Sequence, residues 1–171
     1  DVERSRGLGD VYKRQELRDA TRETVVFAKL TQDGRVVYLD VLDSPHTIRY
    51  APVAGEFKDV HANSLGKALL SLMDESARDT MLAGMAMTRY NERTLVTPQA
   101  LQDDIQQSRQ RGWFMNSGES IADVGAIAWP VTLSGEHYAI SVGGPIYRIE
   151  PQQEAYARIL RAACTGLEQQ A

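Results

Sequence analysis

The sequence predicts an α+β fold in which an antiparallel sheet is flanked by helices. Two observations carry this. Extended segments cluster in two groups of three, with turn signals at Asp33-Gly34 and Ser134-Gly135 inside them. Helical segments form a block between the groups and another at the C-terminal end. They do not alternate with strands, which argues against a doubly wound parallel sheet.

Residues Asp1 to Gln15 carry two glycines, mixed charge and no sustained period, and read as a linker or a non-native segment. The folded domain is expected to cover residues 16–171. A short helix over Arg18–Thr24 leads into a first strand, Thr24–Leu30, and Asp33-Gly34 turns the chain into a second, Arg35–Leu42. A third extended segment is expected around Thr47–Val53, ended by Pro52 and Ala54-Gly55-Glu56. Helices follow over Asn63–Met73 and Asp74–Leu82, with Asp74 a plausible cap for the second. Thr97-Pro98 pairs a capping hydroxyl with a proline at the first helical position. It starts a helix that ends at Gly112, with Leu101 and Ile105 on its apolar stripe. Strands are then expected at Trp113–Asn116, Gly125–Leu133 and Tyr138–Val142, the last ended by Gly143-Gly144-Pro145. Glu150-Pro151 opens a closing helix with Ala155, Ile159, Ala162, Ala163 and Leu167 along one side.

Composition narrows the function. The 171 residues suit one domain with a real core, and 43% hydrophobic with 25% charged residues is ordinary for a globular protein. A net charge of −4 is the wrong sign for a chain that itself coats a nucleic-acid backbone. Cys164 is the single cysteine, so an internal disulfide and a cysteine metal cluster are excluded. No apolar run approaches the roughly 20 residues of a membrane span, and no secretory leader is visible. A soluble cytoplasmic protein without a membrane partner is expected.

The stretch His61-Ala62-Asn63-Ser64-Leu65-Gly66-Lys67-Ala68-Leu69-Leu70 carries the most chemistry. Small and polar residues just before an apolar helical run would present backbone amides and a helix dipole to an anion or carbonyl oxygen. No nucleophile–base pair accompanies them, which suggests binding without chemistry. On the strand from Gly125, period-two alternation puts Ala126 and Ala128 on one face, with Ile127 and Trp129 on the other.

Three marks together resemble the C-terminal effector-binding domain of IclR-family bacterial transcription regulators. His61 to Leu70 is close to the family's H-A-x-x-x-G-K-A-x-L segment. Arg111-Gly112-Trp113, Glu119 and Ile127-Ala128-Trp129-Pro130 follow its R-G-aromatic, E, I-A-A-P run. Ala139 to Pro145 (AISVGGP) is near its A-L-S-V-S-G-P. The likeness spans roughly residues 16–170. There are departures: Asp123 stands where the family often has a glycine, and Ala126 where some members have a cysteine. Trp129 replaces a small residue and Gly143 a serine. These changes alter pocket volume and hydrogen bonding, so no characterised relative's ligand transfers.

The resemblance implies a GAF- or profilin-like fold, a curved antiparallel sheet flanked by helices. A pocket over one sheet face would hold a small metabolite, often an organic acid or aromatic carboxylate. It implies Asn63, Ser64 and Leu65 as the loop facing the effector, Ala126, Ala128, Ser141 and Gly143 from two strands, and Asn116 where some relatives carry an effector-contacting acid. No catalytic residue, metal or cofactor is expected. The partners implied are a small-molecule effector, further copies of the chain as a dimer or tetramer, and operator DNA through an N-terminal winged helix-turn-helix domain. Only about 15 residues precede the matching region, so that domain is expected to be absent from this chain.

Plainer readings compete at each residue. Asn63-Ser64 also reads as an ordinary helix cap, His61 as a hydrogen-bonded structural histidine, and Lys67 as a surface lysine. Tyr50, Trp113 and Trp129 read as packing, Arg49 as a solvated strand arginine, Asn116 and Glu119 as turn formers, and Cys164 as inert packing. The rival function is a small hydrolase or isomerase using His61, His137 or Ser141. No G-x-S-x-G elbow, H-E-x-x-H pair, P-loop or G-x-G-x-x-G turn supports it. His46, His61 and His137 are unlike a zinc motif in spacing. A GAF-like sensor of another signalling protein is the third reading.

Overall fold

Six strands form one antiparallel sheet that curls into a half-barrel: β1 (Thr24–Leu30), β2 (Arg35–Leu42), β3 (Phe57–Asp59), β4 (Phe114–Ser117), β5 (Val124–Leu133) and β6 (Glu136–Pro145). Their order is β3-β2-β1-β6-β5-β4. A computed structural model describes residues 2–171, with side chains from residue 9 onward. The helices are α1 (Val2–Thr21), α2 (Ser64–Leu70), α3 (Glu75–Ala83), α4 (Pro98–Arg111), α5 (Ile146–Ile149) and α6 (Gln153–Gln170). The fold is thus the α+β, GAF-like sheet-and-helix architecture that the sequence predicts.

Local chemistry places most of these elements where expected. Thr97 caps α4 by accepting from the Ala100 amide at 3.2 Å, and Gly112 ends it at φ 105°. Ser134 and Gly135 both take positive φ, which closes the two-residue turn between β5 and β6. Asp74 does occupy the cap position of α3, but its side chain makes no capping hydrogen bond.

Several expectations are corrected. The third strand is not Thr47–Val53 but Phe57–Asp59, paired with Arg35–Val37 of β2. Pro45 and Pro52 lack the N–H a ladder needs. The segment between them instead crosses the sheet end, where the Thr24 hydroxyl donates to the Tyr50 carbonyl at 2.5 Å. The first helix does not begin at Arg18 but extends over Val2–Thr21. Residue 1 and the side chains of 2–8, part of the expected linker, lie outside the described residues. Of the rest, Arg14 is buried, pairs with Asp40 at 3.1 Å and lies over the Phe27 ring. Arg14, Leu17 and Thr21 make the buried stripe, and two of those three are polar, so hydrophobic periodicity misses it.

Cores lie on both faces of the sheet. On one, Val60, Leu65, Leu69, Leu82, Leu101 and Ile105 pack on Val26, Ala28, Val36, Phe114 and Ala128. On the other, Leu17, Ile149, Leu160, Cys164 and Leu167 cover Val25, Ile127, Ile140 and Val142. The buried stripe of α6 is Ala157, Leu160, Cys164 and Leu167, rotated from the expected one, and Ala162 faces outward. The first face leaves a gap between β3, α2 and the β4–β5 connection. No helix among the described residues is long and apolar enough to cross a membrane.

Candidate functional site

Gly66 sets the site's geometry. A Cβ on it would sit 2.4 Å from the Val60 carbonyl oxygen, so only glycine lets α2 press against the single turn Val60–Ala62. That contact fixes the entry of α2, and Asn63 caps it. The Asn63 Oδ1 accepts from the Leu65 amide at 2.9 Å and the Gly66 amide at 3.2 Å. Its Nδ2 is thereby turned away from the helix and donates to the Tyr38 hydroxyl at 2.9 Å. The helix-start amides expected to face a ligand are therefore partly used inside the protein.

Beside this turn lies a cavity of about 320 Å³, lined by Tyr38, Tyr50, Lys58, Asn63, Ser64 and Tyr90 together with further residues. That volume is at the lower end of the ~300–1,000 Å³ typical of small-molecule sites. Asn63, Ser64, Leu65, Asn116, Ala126 and Ser141, all singled out from sequence, line it. Ala128 and Gly143 do not. Ala128 faces the same side as Ala126, but one strand step deeper, where the helices cover it completely. Gly143 is covered by the Tyr50 ring, whose Cδ1 lies 3.4 Å from where a Cβ would be. Asn116 is committed to the protein: its Nδ2 donates to the Ala62 carbonyl at 3.1 Å and its Oδ1 accepts from the Glu119 amide at 2.8 Å.

Sequence reasoning missed the aromatic wall. Tyr38 on β2, Tyr50 from the proline-bounded segment and Tyr90 from the α3–α4 connection all converge on the cavity. No short motif joins them, and from sequence Tyr50 reads as packing. Burial, and then the neighbouring Tyr38, push the Tyr50 phenol well up from its ordinary value. Hydrogen bonding to Asp59 pushes Tyr90 up to about 12. Both are neutral O–H groups at ordinary pH. Lys58 is engaged by Glu56 at 2.8 Å.

Lys67 is not a surface residue. It is fully buried, and its ammonium sits 2.6 Å from Asp104, 2.7 Å from Glu119 and 2.8 Å from the Met115 carbonyl. Glu119 also accepts from the Ser117 amide at 3.1 Å, and its carbonyl accepts from the Thr94 hydroxyl at 2.6 Å. The cluster ties α2 and α4 to the connection that carries Ser120 and Ile121 into the cavity rim. His61 is buried too, with Nε2 2.7 Å from the Thr88 carbonyl and Nδ1 without a partner.

These positions supply no nucleophile–base pair. His137 stands four residues from Ser141 along β6, about 13 Å at strand rise, and contacts the Thr132 hydroxyl instead. The one hydrogen bond of His61 goes to a backbone carbonyl.

A half-barrel sheet with a closed core on one face, and a cavity opened by a helix entrance on the other, defines a GAF-like domain architecture. The chain belongs to the IclR family of bacterial transcriptional regulators: the family model described as "Bacterial transcriptional regulator IclR C-terminal" matches residues 12–168. It is similar to the transcriptional repressor IclR of Escherichia coli K12, 32% identical over 155 residues that cover 86% of this chain and 56% of that protein. It is also similar to the HTH-type transcriptional regulator BhcR of Paracoccus denitrificans, 35% identical over 150 residues, 86% of this chain and 52% of that one. The chain spans about half the length of the curated relatives it matches. The solved C-terminal domain of E. coli KdgR superposes with a TM-score of 0.82 at 25% identity, covering 99% of this chain and 98% of that one. An IclR homologue from Microbacterium hydrocarbonoxydans, solved with 4-hydroxybenzoate, shares the fold at a TM-score of 0.84 and 24% identity, over 99% of this chain and 68% of that one. The family is one of regulators, not of enzymes.

Proposed function

We propose that the cavity is an effector site for a small organic acid or aromatic carboxylate, and that its occupancy controls DNA binding by an N-terminal winged helix-turn-helix domain. One observation carries the reading. A partly open cavity lined by tyrosine and serine hydroxyls over an apolar floor can hold an oxygen-rich small molecule, and the described residues around it pair no nucleophile with a base. The relative solved with 4-hydroxybenzoate supports this ligand class.

The mechanism is differential affinity. An effector that binds one arrangement of a dimer or tetramer more tightly shifts the population toward it, altering the spacing of the DNA-reading modules and so operator occupancy. The protein would act in the cytoplasm, where operator and metabolite meet. The site residues on this reading are Asn63, Ser64, Leu65, Asn116, Ala126 and Ser141, with Tyr38, Tyr50 and Tyr90 added. Ala128 and Gly143 act from behind the wall.

A thermal-shift screen of small organic acids and aromatic carboxylates, 4-hydroxybenzoate included, tests it. A ligand at a hundredfold excess over its dissociation constant stabilises the folded state by about 2.7 kcal/mol. Ser64→Phe, which projects a ring into the cavity, is expected to abolish that response while keeping the chain folded. A normal response from this variant would place the effector elsewhere.

A further inference from the structure

We infer that Tyr38 and Tyr50 form a hydroxyl relay that recognises the ligand's carboxylate, and that Gly143 is the positioning residue that makes room for it. The inference rests on the effector-site reading and names the groups that select the acid.

Proton counting supports the relay. Asn63 Oδ1 is held by two backbone amides, so Nδ2 is the atom that meets Tyr38 and the Tyr38 oxygen accepts. The Tyr38 proton then has to go elsewhere. The Tyr50 hydroxyl is 3.5 Å away, and either oxygen can donate across that contact. Two hydroxyls share one contact, so whichever way it is polarised, one O–H is left without a protein acceptor in it. Both rings line the cavity. Two donors 3.5 Å apart can also converge on one ligand oxygen at about 2.7 Å from each, an ordinary O–H···O distance.

Several other candidate donors are occupied, while the Ser64, Ser120 and Ser141 hydroxyls also face the cavity. The Leu65 and Gly66 amides are held by Asn63, the Asn116 amide by Ala62, and the Lys58 ammonium by Glu56. Asp59 takes the Tyr90 hydroxyl. Among the lining hydroxyls, Tyr38 and Tyr50 stand as a pair close enough to meet one ligand oxygen together.

Gly143 decides where Tyr50 stands. A Cβ there would already touch both Ala126 Cβ and Tyr50 Cδ1 at 3.4 Å, so a larger side chain is expected to press on the Tyr50 ring. The ring therefore occupies the space a side chain would take on β6, and this brings its hydroxyl to Tyr38.

Calorimetric titration with benzoate, 4-hydroxybenzoate, propionate and succinate tests the relay, with benzyl alcohol as the uncharged comparison. Wild type is set beside Tyr50→Phe, the double variant Tyr38→Phe/Tyr50→Phe, and Gly143→Val. Melting without ligand checks that each is folded, and Tyr50→Phe removes an oxygen whose only hydrogen-bond partner among the described residues is Tyr38. The acids are expected to lose about tenfold or more in affinity in the double variant and in Gly143→Val, with the preference for benzoate over benzyl alcohol collapsing in parallel. If acids bind wild type and the double variant loses less than about fivefold, the relay is overturned and the effector site stands. If none of the acids binds wild type, the carboxylate reading of the cavity falls, and the relay with it.

Discussion

Lys67 places a charged nitrogen where no water reaches it, and three oxygens within 2.8 Å make that position tolerable. An isolated buried ammonium would be costly, but a compensated one is retained because removing either sign strands the other. Lys67→Met keeps the volume and leaves Asp104 and Glu119 facing each other without a cation. We expect a loss of about 3–5 kcal/mol in urea unfolding, partly recovered in Lys67→Met/Glu119→Gln. A cost under about 1 kcal/mol would mean that the cluster contributes little. The same residue shows why sequence reading falls short here. A lysine one turn into a helix reads as solvent-facing, and its two acidic partners lie 37 and 52 positions away. Asn63 was more legible, because a cap is a local hydrogen bond between near neighbours. Its second role, turning Tyr38 toward the cavity, spans 25 positions and could not be read.

Helix α2 has only seven residues, and packing rather than propensity holds it in place. Glycine at position 66 would ordinarily weaken a helix by about 1 kcal/mol relative to alanine. Propensity alone therefore predicts that Gly66→Ala stabilises. The Val60 carbonyl 2.4 Å from the new Cβ predicts the reverse, a loss of about 2 kcal/mol or more through displaced backbone. The sign of the change in melting temperature separates the two. Turn and cap chemistry made the β1–β2 and β5–β6 hairpins and α4 readable, since each signal lies within a few residues of its effect. The segment Thr47–Val53 is misplaced from sequence for a matching reason: its apolar residues look like a strand, but Pro52, Pro45 before it and its contacts with β1 and β6 make it a cover. That cover delivers Tyr50.

Across the whole molecule, the tyrosines couple stability to pH. Tyr50 and Tyr156 are raised chiefly by burial, and Tyr90 and Tyr138 by hydrogen bonds to Asp59 and Glu136. The folded chain holds these protons beyond the pH near 10 at which the unfolded chain releases them. Their contribution is therefore complete below that pH and declines as pH rises toward the folded values. Melting temperature is expected to be flat between about pH 8 and 9.5 and to fall between about pH 10 and 12, less steeply in Tyr50→Phe. An unchanged melting temperature across the higher range would show that these phenols ionise alike in both states.

The order of strands and helices, their caps and turns, and the family resemblance were all present in the sequence, because each depends on residues a few positions apart or on a linear pattern. The aromatic wall, the buried ammonium and the fit of Tyr50 over Gly143 were decided by tertiary structure alone. They arise where the half-barrel brings distant segments within hydrogen-bonding reach, and the distance between two such segments in space is independent of their separation along the chain.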